Sequence, residues 1–267
     1  MSQLTQPYTF DPHNRIDEIV IAGLGGTGSQ LARSVARLIF DRKRRNLHVP
    51  RLVFIDPDIV QEHNVGRQMF TSQDAQARAH KAAVLGQRFN FALGLDIHWM
   101  TEPLNSERHL KHGCLVLGCV DNHIARAEIA RKEDCLWIDC GNGYDHGQVV
   151  IGNAGDRQRV LDSLKSANRV CRYLPHAGLL FPALLEPDPE EAQPLTAPDA
   201  SCAELVVRGD QSLLVNDLMA IVAAQYVAKL LNREPIQTFI SFVSTAQIAV
   251  RSQVISPEAI LSYLEDQ

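Results

Sequence analysis

A doubly wound α/β fold built on a mostly parallel sheet is what the amino-acid sequence predicts, and three observations carry that expectation. Short apolar runs ending in small or acidic residues recur at 18–24 (EIVIAGL), 51–56 (RLVFID), 114–121 (CLVLGCVD) and 135–141 (CLWIDCG). Segments with apolar residues at helical spacing stand between them, as in SQLARSVARLIF and HIARAEIARKE. Glycines follow the first run at once. Continuous apolar strands belong to a sheet covered on both faces, and strands alternating with helices are joined by parallel crossovers.

EIVIAGL reads as a strand running into a tight turn, and SQLARSVARLIF as the helix that follows. The basic stretch DRKRRN is expected to be solvated, and RLVFID to be a second buried strand that ends in Asp56 and completes a βαβ unit. A helix is expected from about Asp74 to Phe91, then LDIHWM as a third strand. CLVLGCVD and CLWIDCG are strands on either side of the helix HIARAEIARKE, and QVVIGN is expected to leave this first sheet. From Phe181 to Asp199 the chain turns to proline and acid, which sustain neither helix nor central strand, so a long exposed connection is expected. NDLMAIVAAQYVAKLLN is the strongest helical pattern, with Asn216 placed to cap it, and PIQTFISFVSTAQIAVRSQVI reads as an antiparallel hairpin. The sum is a Rossmann-like, mostly parallel sheet extended by a C-terminal antiparallel hairpin.

The 267 residues carry a formal net charge of −5, which leaves no electrostatic footprint for nucleic acid. Six cysteines, at 114, 119, 135, 140, 171 and 202, lack the density of a disulfide scaffold and read as thiols of a reducing compartment. The start, MSQLTQPYTFDPHN, has no basic segment followed by an apolar one, and no apolar run approaches the roughly 18 to 20 residues of a membrane span. Cytoplasmic residence is expected, with neither nucleic acid nor membrane as partner.

Gly23, Gly25 and Gly28 satisfy G-x-G-x-x-G between an expected strand and an expected helix, where bare backbone and a helix amino terminus bind phosphate. A glycine-tightened turn without a ligand has the same pattern, and Gly26 leaves room for a closer approach. Asp56 is placed to accept from a ribose in either a dinucleotide or an ATP site, or to cap a turn together with Asp58. The stretch FIDPDIVQEHNVGRQMF then brings Asn64, Arg67 and Gln68, and Lys81 and CVDNHIAR follow. Each of these alone reads as a surface residue. Gathered behind a ribose acid, an amide, a guanidinium and an ammonium neutralise a triphosphate, which a dehydrogenase has no need to do.

This combination resembles the ThiF/MoeB superfamily, the ubiquitin-activating-enzyme-like adenylating proteins. Their pattern is a GxGGxG loop, an acid after the second strand, an N-x-x-R-Q cluster, a lysine on the next helix and an acid-Asn pair before a later arginine. The match is GLGGTG at 23–28, Asp56, Asn64, Arg67, Gln68, Lys81, and Asp121 with Asn122 before Arg126. It continues through IDCGNGYDHGQVVIG and SCAEL, over most of the chain. The resemblance implies one adenylation domain over 1–267, with a nucleotide-binding half at 15–150, an exposed crossover at 182–210, and a helix and hairpin at 211–267. It implies ATP and Mg²⁺ as cofactors. Gly23, Gly25, Gly26 and Gly28 would lie near the phosphates, Asp56 on the ribose, Asn64, Arg67 and Lys81 around the phosphates with Gln68 and Asn122 beside them, and Asp121 on Mg²⁺. Arg67, Lys81 and Asp121 would carry catalysis by positioning and charge neutralisation, because a carboxylate nucleophile is ionised at neutral pH and needs no base. The implied partner is a small ubiquitin-like or sulfur-carrier-like protein with a C-terminal glycine, and the implied assembly a homodimer. Within the superfamily, FNFALGLD, the lengthened segment before the second strand and SCAELVVRGDQSLLVNDLMA resemble the ThiF-like proteins of the plasmid-borne ParB-related, ThiF-related cassette.

The sequence departs from the family pattern in its zinc-binding cysteines and its amino-terminal arginine. The paired CxxC motifs that hold structural zinc in many members are missing, Cys171 stands alone, and no zinc site is expected. Cys114 with Cys119 and Cys135 with Cys140 have five-residue offsets that point the thiols of one strand to opposite faces, so they read as buried structural cysteines. Cys202 follows the acidic connection where relatives have a cysteine that in some members takes up the activated carboxyl group, which makes it a candidate nucleophile for thioester or persulfide chemistry. The amino-terminal arginine that relatives supply across a dimer has no match at Arg15: either it is absent, or another residue, for example in the RKRR stretch at 42–45, substitutes. Three readings follow: an adenylyltransferase, an NAD-dependent oxidoreductase using the glycine loop and Asp56, or a non-catalytic ATP-binding scaffold dimer of a plasmid-associated complex.

Overall fold

The computed structural model describes residues 7–187 and 213–265. The chain runs β1 (Thr9–Phe10), β2 (Glu18–Ala22), α1 (Gly26–Arg44), β3 (Arg51–Ile55), α2 (Ser72–Gln76), α3 (Lys81–Leu93), β4 (His98–Met100), α4 (Ser106–His109), β5 (Leu115–Gly118), α5 (His123–Ala130), β6 (Leu136–Asn142), β7 (His146–Gly152), α6 (Arg157–Leu164), β8 (Val170–Cys171), α7 (Ala177–Leu180), α8 (Leu213–Asn232), β9 (Thr238–Ser244), β10 (Ala249–Val254) and α9 (Pro257–Glu265). Short 3-10 turns lie at Glu62–Asn64 and Pro182–Leu185.

Eight strands form one sheet in the order β10-β9-β7-β6-β5-β2-β3-β4. From β6 to β4 all neighbours are parallel, while β7, β9 and β10 pair antiparallel. This is the predicted doubly wound α/β fold with its C-terminal antiparallel extension. The parallel strands are apolar along their whole length because both faces are covered: Ile19, Val20, Ile21, Leu115, Val116 and Leu117 have no exposed surface. From β2 the chain proceeds outward to β3 on one side and to β5 on the other, so the order reverses between β2 and β5. Open α/β sheets bind ligands beyond the carboxyl ends of the strands at such a reversal. The glycine turn follows β2 at that place.

Several elements differ from the sequence reading. The expected helix from Asp74 to Phe91 is two. Thr71 caps α2, exchanging hydrogen bonds with Asp74, whose backbone N lies 3.3 Å from Thr71 Oγ1, and Arg78 adopts a left-handed φ of 48° that stops the helix. α3 then starts afresh at Lys81. QVVIGN does not leave the sheet: it is the core of β7, clamped between β6 and β9, and a tight turn in which Gly143 N donates to His146 O at 2.8 Å folds it back antiparallel. DRKRRN is solvated as expected, all but Arg42 being exposed; residues 41–44 are the last turn of α1, and Arg42 donates to His48 O and Asn232 Oδ1. Asn216 does not cap α8 but sits inside it, 2% exposed. α8 is also 20 residues long with a mean hydropathy of 1.4, long and apolar enough to cross a membrane by length and composition, which corrects the expectation that no segment approaches that size. It packs along α1, with Met219, Ala220, Ala223 and Val227 buried.

Candidate active site

The turn after β2 is shaped by three glycines that meet backbone or side chain where a Cβ would stand. Gly23 has φ 83°, its N–H donates to Ile55 O, and a Cβ there would lie 2.6 Å from Cys119 O. A Cβ on Gly28 would lie 1.9 Å from Gly23 O. One on Gly26 would lie 2.7 Å from Asn216 Nδ2. Gly25, by contrast, has open space beside it. α1 begins here without a side-chain cap and with no acid in its first turn. Its first amides therefore have no partner within the helix and point, with the positive end of the helix dipole, into the cavity beyond. That cavity has a volume of about 1020 Å³.

On the β3 side, Asp56 is buried, and its two oxygens accept from Leu24 N at 2.5 Å and Asp58 N at 2.8 Å. Burial pushes its carboxyl above the usual range, opposed by the charge of Lys81 and the Leu24 amide. Each oxygen keeps a lone pair for a ribose hydroxyl. Lys81, at the first position of α3, is only 7% exposed and is held 2.8 Å from Asp58 Oδ2. The break between α2 and α3 is what turns this lysine toward the cavity. Asn64 closes the 3-10 turn, its Oδ1 accepting from Gln61 N at 2.9 Å and its carbonyl from Gln68 N at 2.9 Å. Arg67 and Gln68 are buried and line the same cavity, and Gln68 Oε1 has no hydrogen-bond partner among the described residues.

The opposite wall comes from the carboxyl ends of β5 and β6 and from α8. Asp121 is exposed at the mouth. Asn122 caps α5, accepting from Ala125 N at 2.9 Å, so its side-chain oxygen has a local structural partner while the residue lines the cavity. Leu104, Ile124 and Ala125 add an apolar rim. Two residues absent from the sequence-based site, Asn142 and Asn216, complete this wall. Asn216 Oδ1 accepts from Thr27 Oγ1 at 2.9 Å and Asn142 Nδ2 at 3.0 Å. Cys119, read from the sequence as structural, also lines the cavity.

The ThiF family matches residues 14–257. The chain belongs to the ThiF family. No curated protein sequence matches it. Among solved structures it is similar to E. coli MccB with ATP (TM-score 0.54, 16% identity, 90% of this chain and 65% of that one). It is also similar to E. coli MccB with AMPCPP and MccA (TM-score 0.57, 15% identity, 90% and 65%) and to PaaA (TM-score 0.52, 14% identity, 90% and 64%). The chain thus spans less than two thirds of the length of the MccB and PaaA chains.

Within this ThiF-family fold the structure gathers Gly23, Gly25, Gly26, Asp56, Asn64, Arg67, Gln68, Lys81, Asp121 and Asn122 around one cavity. Gly28 is not part of its lining; it serves the turn from behind. Cys202 and most of the 182–210 connection lie outside the described residues. Among the described residues no group of three or more His, Cys, Asp or Glu is placed to hold a metal. A Mg²⁺ ion carried by nucleotide phosphates needs only one or two protein carboxylates, and Asp121 fits that requirement. Arg126 does not reach the cavity: it is buried 3.4 Å from the fully buried Asp139, whose carboxyl burial holds above its usual range against the pull of that arginine. Arg15 pairs with Asp17, and residues 42–45 lie at the far end of α1, about 28 Å along the helix from this chain's own glycine turn.

Proposed function

We propose that the chain is an ATP-dependent adenylyltransferase acting on the C-terminal carboxylate of a small peptide or protein. The observation that carries this reading is a single cavity that combines an uncapped helix amino terminus with buried Lys81 and Arg67 and a nearby carboxylate, Asp121. Membership of the ThiF family and similarity to MccB with AMPCPP and MccA support it. In this reading Asp56 accepts from the ribose, the rim of Leu104 and Ile124 packs on the base, and the α1 amides, Asn64, Arg67 and Lys81 hold the phosphates. Mg²⁺, bound by Asp121 and the phosphates, would neutralise charge on the leaving group.

A carboxylate oxygen of the substrate attacks the α-phosphorus, the bond from that phosphorus to the bridging oxygen breaks, and pyrophosphate leaves with the electron pair. The nucleophile is already ionised, so the protein's task is alignment and charge neutralisation. We further propose that the substrate is a ubiquitin-like or sulfur-carrier-like protein ending in glycine, that the enzyme is a cytoplasmic homodimer with one adenylation domain per chain, and that it belongs with the ThiF-like proteins of the ParB-related, ThiF-related cassette. ATP–pyrophosphate exchange tests the core of this reading. Exchange should require a carrier protein or peptide with a free C-terminal glycine and vanish when that carboxyl is amidated; ATP binding without exchange for any encoded glycine-terminated neighbour would count against it.

A further inference from the structure

Asn216 is a buried amide in the first turns of α8, between buried Val215 and buried Met219 and Ala220. Its oxygen is fully engaged, by Thr27 Oγ1 from α1 and Asn142 Nδ2 from the end of β6. Its Nδ2 has no partner among the described residues, although the residue is only 2% exposed. An unpaired buried donor costs folding free energy, and an apolar residue at this position would avoid the cost. The Nδ2 lies against Gly26, where a Cβ would come within 2.7 Å, and the residue lines the cavity. Two hydrogen bonds from two different elements therefore hold an unused donor beside the first turn of α1.

We propose that Asn216 binds the reacting carboxyl group of the substrate, with Nδ2 donating to the carboxylate oxygen that stays behind as the acyl oxygen of the adenylate. This rests on the adenylation reading above. Charge and position distinguish this donor from the cationic phosphate ligands. Lys81 and Arg67 follow β3, whereas Asn216 and Asn142 stand toward β6, and the β2–β5 reversal lies between the two sets. A cation on the β6 side would bind the carboxylate and also withdraw its nucleophilicity; a neutral amide orients it with little of that loss. Attack opposite the leaving pyrophosphate also requires the carboxylate and the phosphate cations to lie on different sides of the α-phosphorus. Asn142, which fixes the amide by donating to Oδ1, is a positioning residue, and Gly26 is glycine because the amide occupies the space of its side chain.

The test uses the full chain and three ligands: ATP, glycyl-sulfamoyl-adenosine as a stable mimic of the acyl adenylate, and aminoethyl-sulfamoyl-adenosine, in which a methylene replaces the acyl carbonyl and the sulfamate nitrogen is no longer ionised. Wild type should bind the glycyl compound about tenfold more tightly than the aminoethyl compound, the size expected for one hydrogen bond in a buried site. Asn216→Ala should cut that preference about tenfold. The proposal is overturned if wild type binds ATP but shows no preference, if the variant keeps the preference, or if the variant loses all three ligands in equal proportion. Should the alanine variant not fold, Asn216→Asp, which keeps an oxygen to accept from Thr27 and Asn142 and removes the Nδ2 donor, takes its place in the same comparison. Failure of wild type to bind ATP at all would remove the adenylation reading itself, a result distinct from the failure of Asn216 alone.

Discussion

Replacing Gly28 with alanine is expected to destabilise the fold, whereas replacing Gly25 should leave the fold alone and harm the ligand. A Cβ on Gly28 would stand 1.9 Å from Gly23 O and 2.8 Å from Gly23 C, well inside contact distance. The obstacle is backbone, and it cannot retreat: Gly23 itself has φ 83° and a position for Cβ only 2.6 Å from Cys119 O, so the turn is already pressed against the end of β5. Overpacking a well-filled site costs about 1 to 3 kcal/mol where side chains can yield, and here a carbonyl must move, so a loss of about 3 kcal/mol or more is expected. For a chain of this size that lowers Tm by about 6 to 10 °C. A Cβ on Gly25 meets nothing within 4 Å, and Gly25 lines the cavity. Gly25→Ala should therefore stay within about 1 kcal/mol of wild type while ATP binding weakens by about tenfold or more. Urea unfolding monitored by circular dichroism, paired with ATP titration calorimetry, measures both. A Gly28→Ala protein as stable as wild type would refute the account of the turn, and undiminished ATP binding by Gly25→Ala would refute the placement of the phosphates.

Lys81→Met should weaken ATP binding by about tenfold or more, because a buried cation is lost from the phosphate wall, and should also lower Tm, because buried Asp56 loses the charge that opposes its desolvation; calorimetry and thermal melting separate the two effects. Cys119 lines the cavity and is only partly buried, so its alkylation by iodoacetamide, followed by peptide mass spectrometry, should slow at saturating ATP, and an ATP-independent rate would place the nucleotide elsewhere. His176 caps α7 as a neutral ring, Nδ1 accepting from Leu179 N at 3.1 Å, and burial lowers its pKa from 6.5 to about 4. The unfolded chain takes up that proton first, so the stability it contributes is complete above about pH 6.5 and is lost as pH falls toward 4, by up to about 3 kcal/mol. His176→Asn, which keeps a capping acceptor but does not titrate, should flatten that part of the curve of urea midpoint against pH; an unchanged slope would mean that the ring titrates alike in the folded and unfolded chains.

The parallel half of the fold was legible because burial on both faces leaves an unbroken apolar signature, as in EIVIA and LVLG, and the phosphate wall because its residues follow one another closely from Asp56 to Lys81. What escaped was set by contacts distant in sequence. Asn216 near the start of an apolar helix has the pattern of a cap, and only the packing of α8 on α1 brings it to Thr27, 189 positions earlier. The direction of β7 is not written in its own residues, since buried strands of either sense look alike; it is decided by the short Gly143-Tyr144-Asp145 connection, too short for any crossover. That connection was a usable signal. Thr71 with Asp74 three residues on marks the start of α2, but the break after it, where Arg78 adopts a φ of 48°, has no such capping signal.

The cysteines show how a spacing can be correct and its interpretation incomplete. Five residues separate Cys114 from Cys119 and Cys135 from Cys140, which along one strand means opposite faces. Leu115 pairs with Leu136 and Gly118 with Asp139, so β5 and β6 run in register without a bulge. Equal offsets in two in-register strands force cross-strand partners at both ends: Cys114 beside Cys135, with sulfurs 3.0 Å apart, and Cys119 hydrogen-bonded to Cys140. Within the first pair the hydrogen bond from Cys114 makes Cys135 the more acidic thiol, and it raises Cys114. The second pair is different in consequence, because Cys119 lies on the cavity and Cys140 behind it, its thiol pushed up by that hydrogen bond and by burial. The same register that fixes the sulfurs therefore also sets how far β6 extends past the glycine turn, and hence where Asn142 meets Asn216.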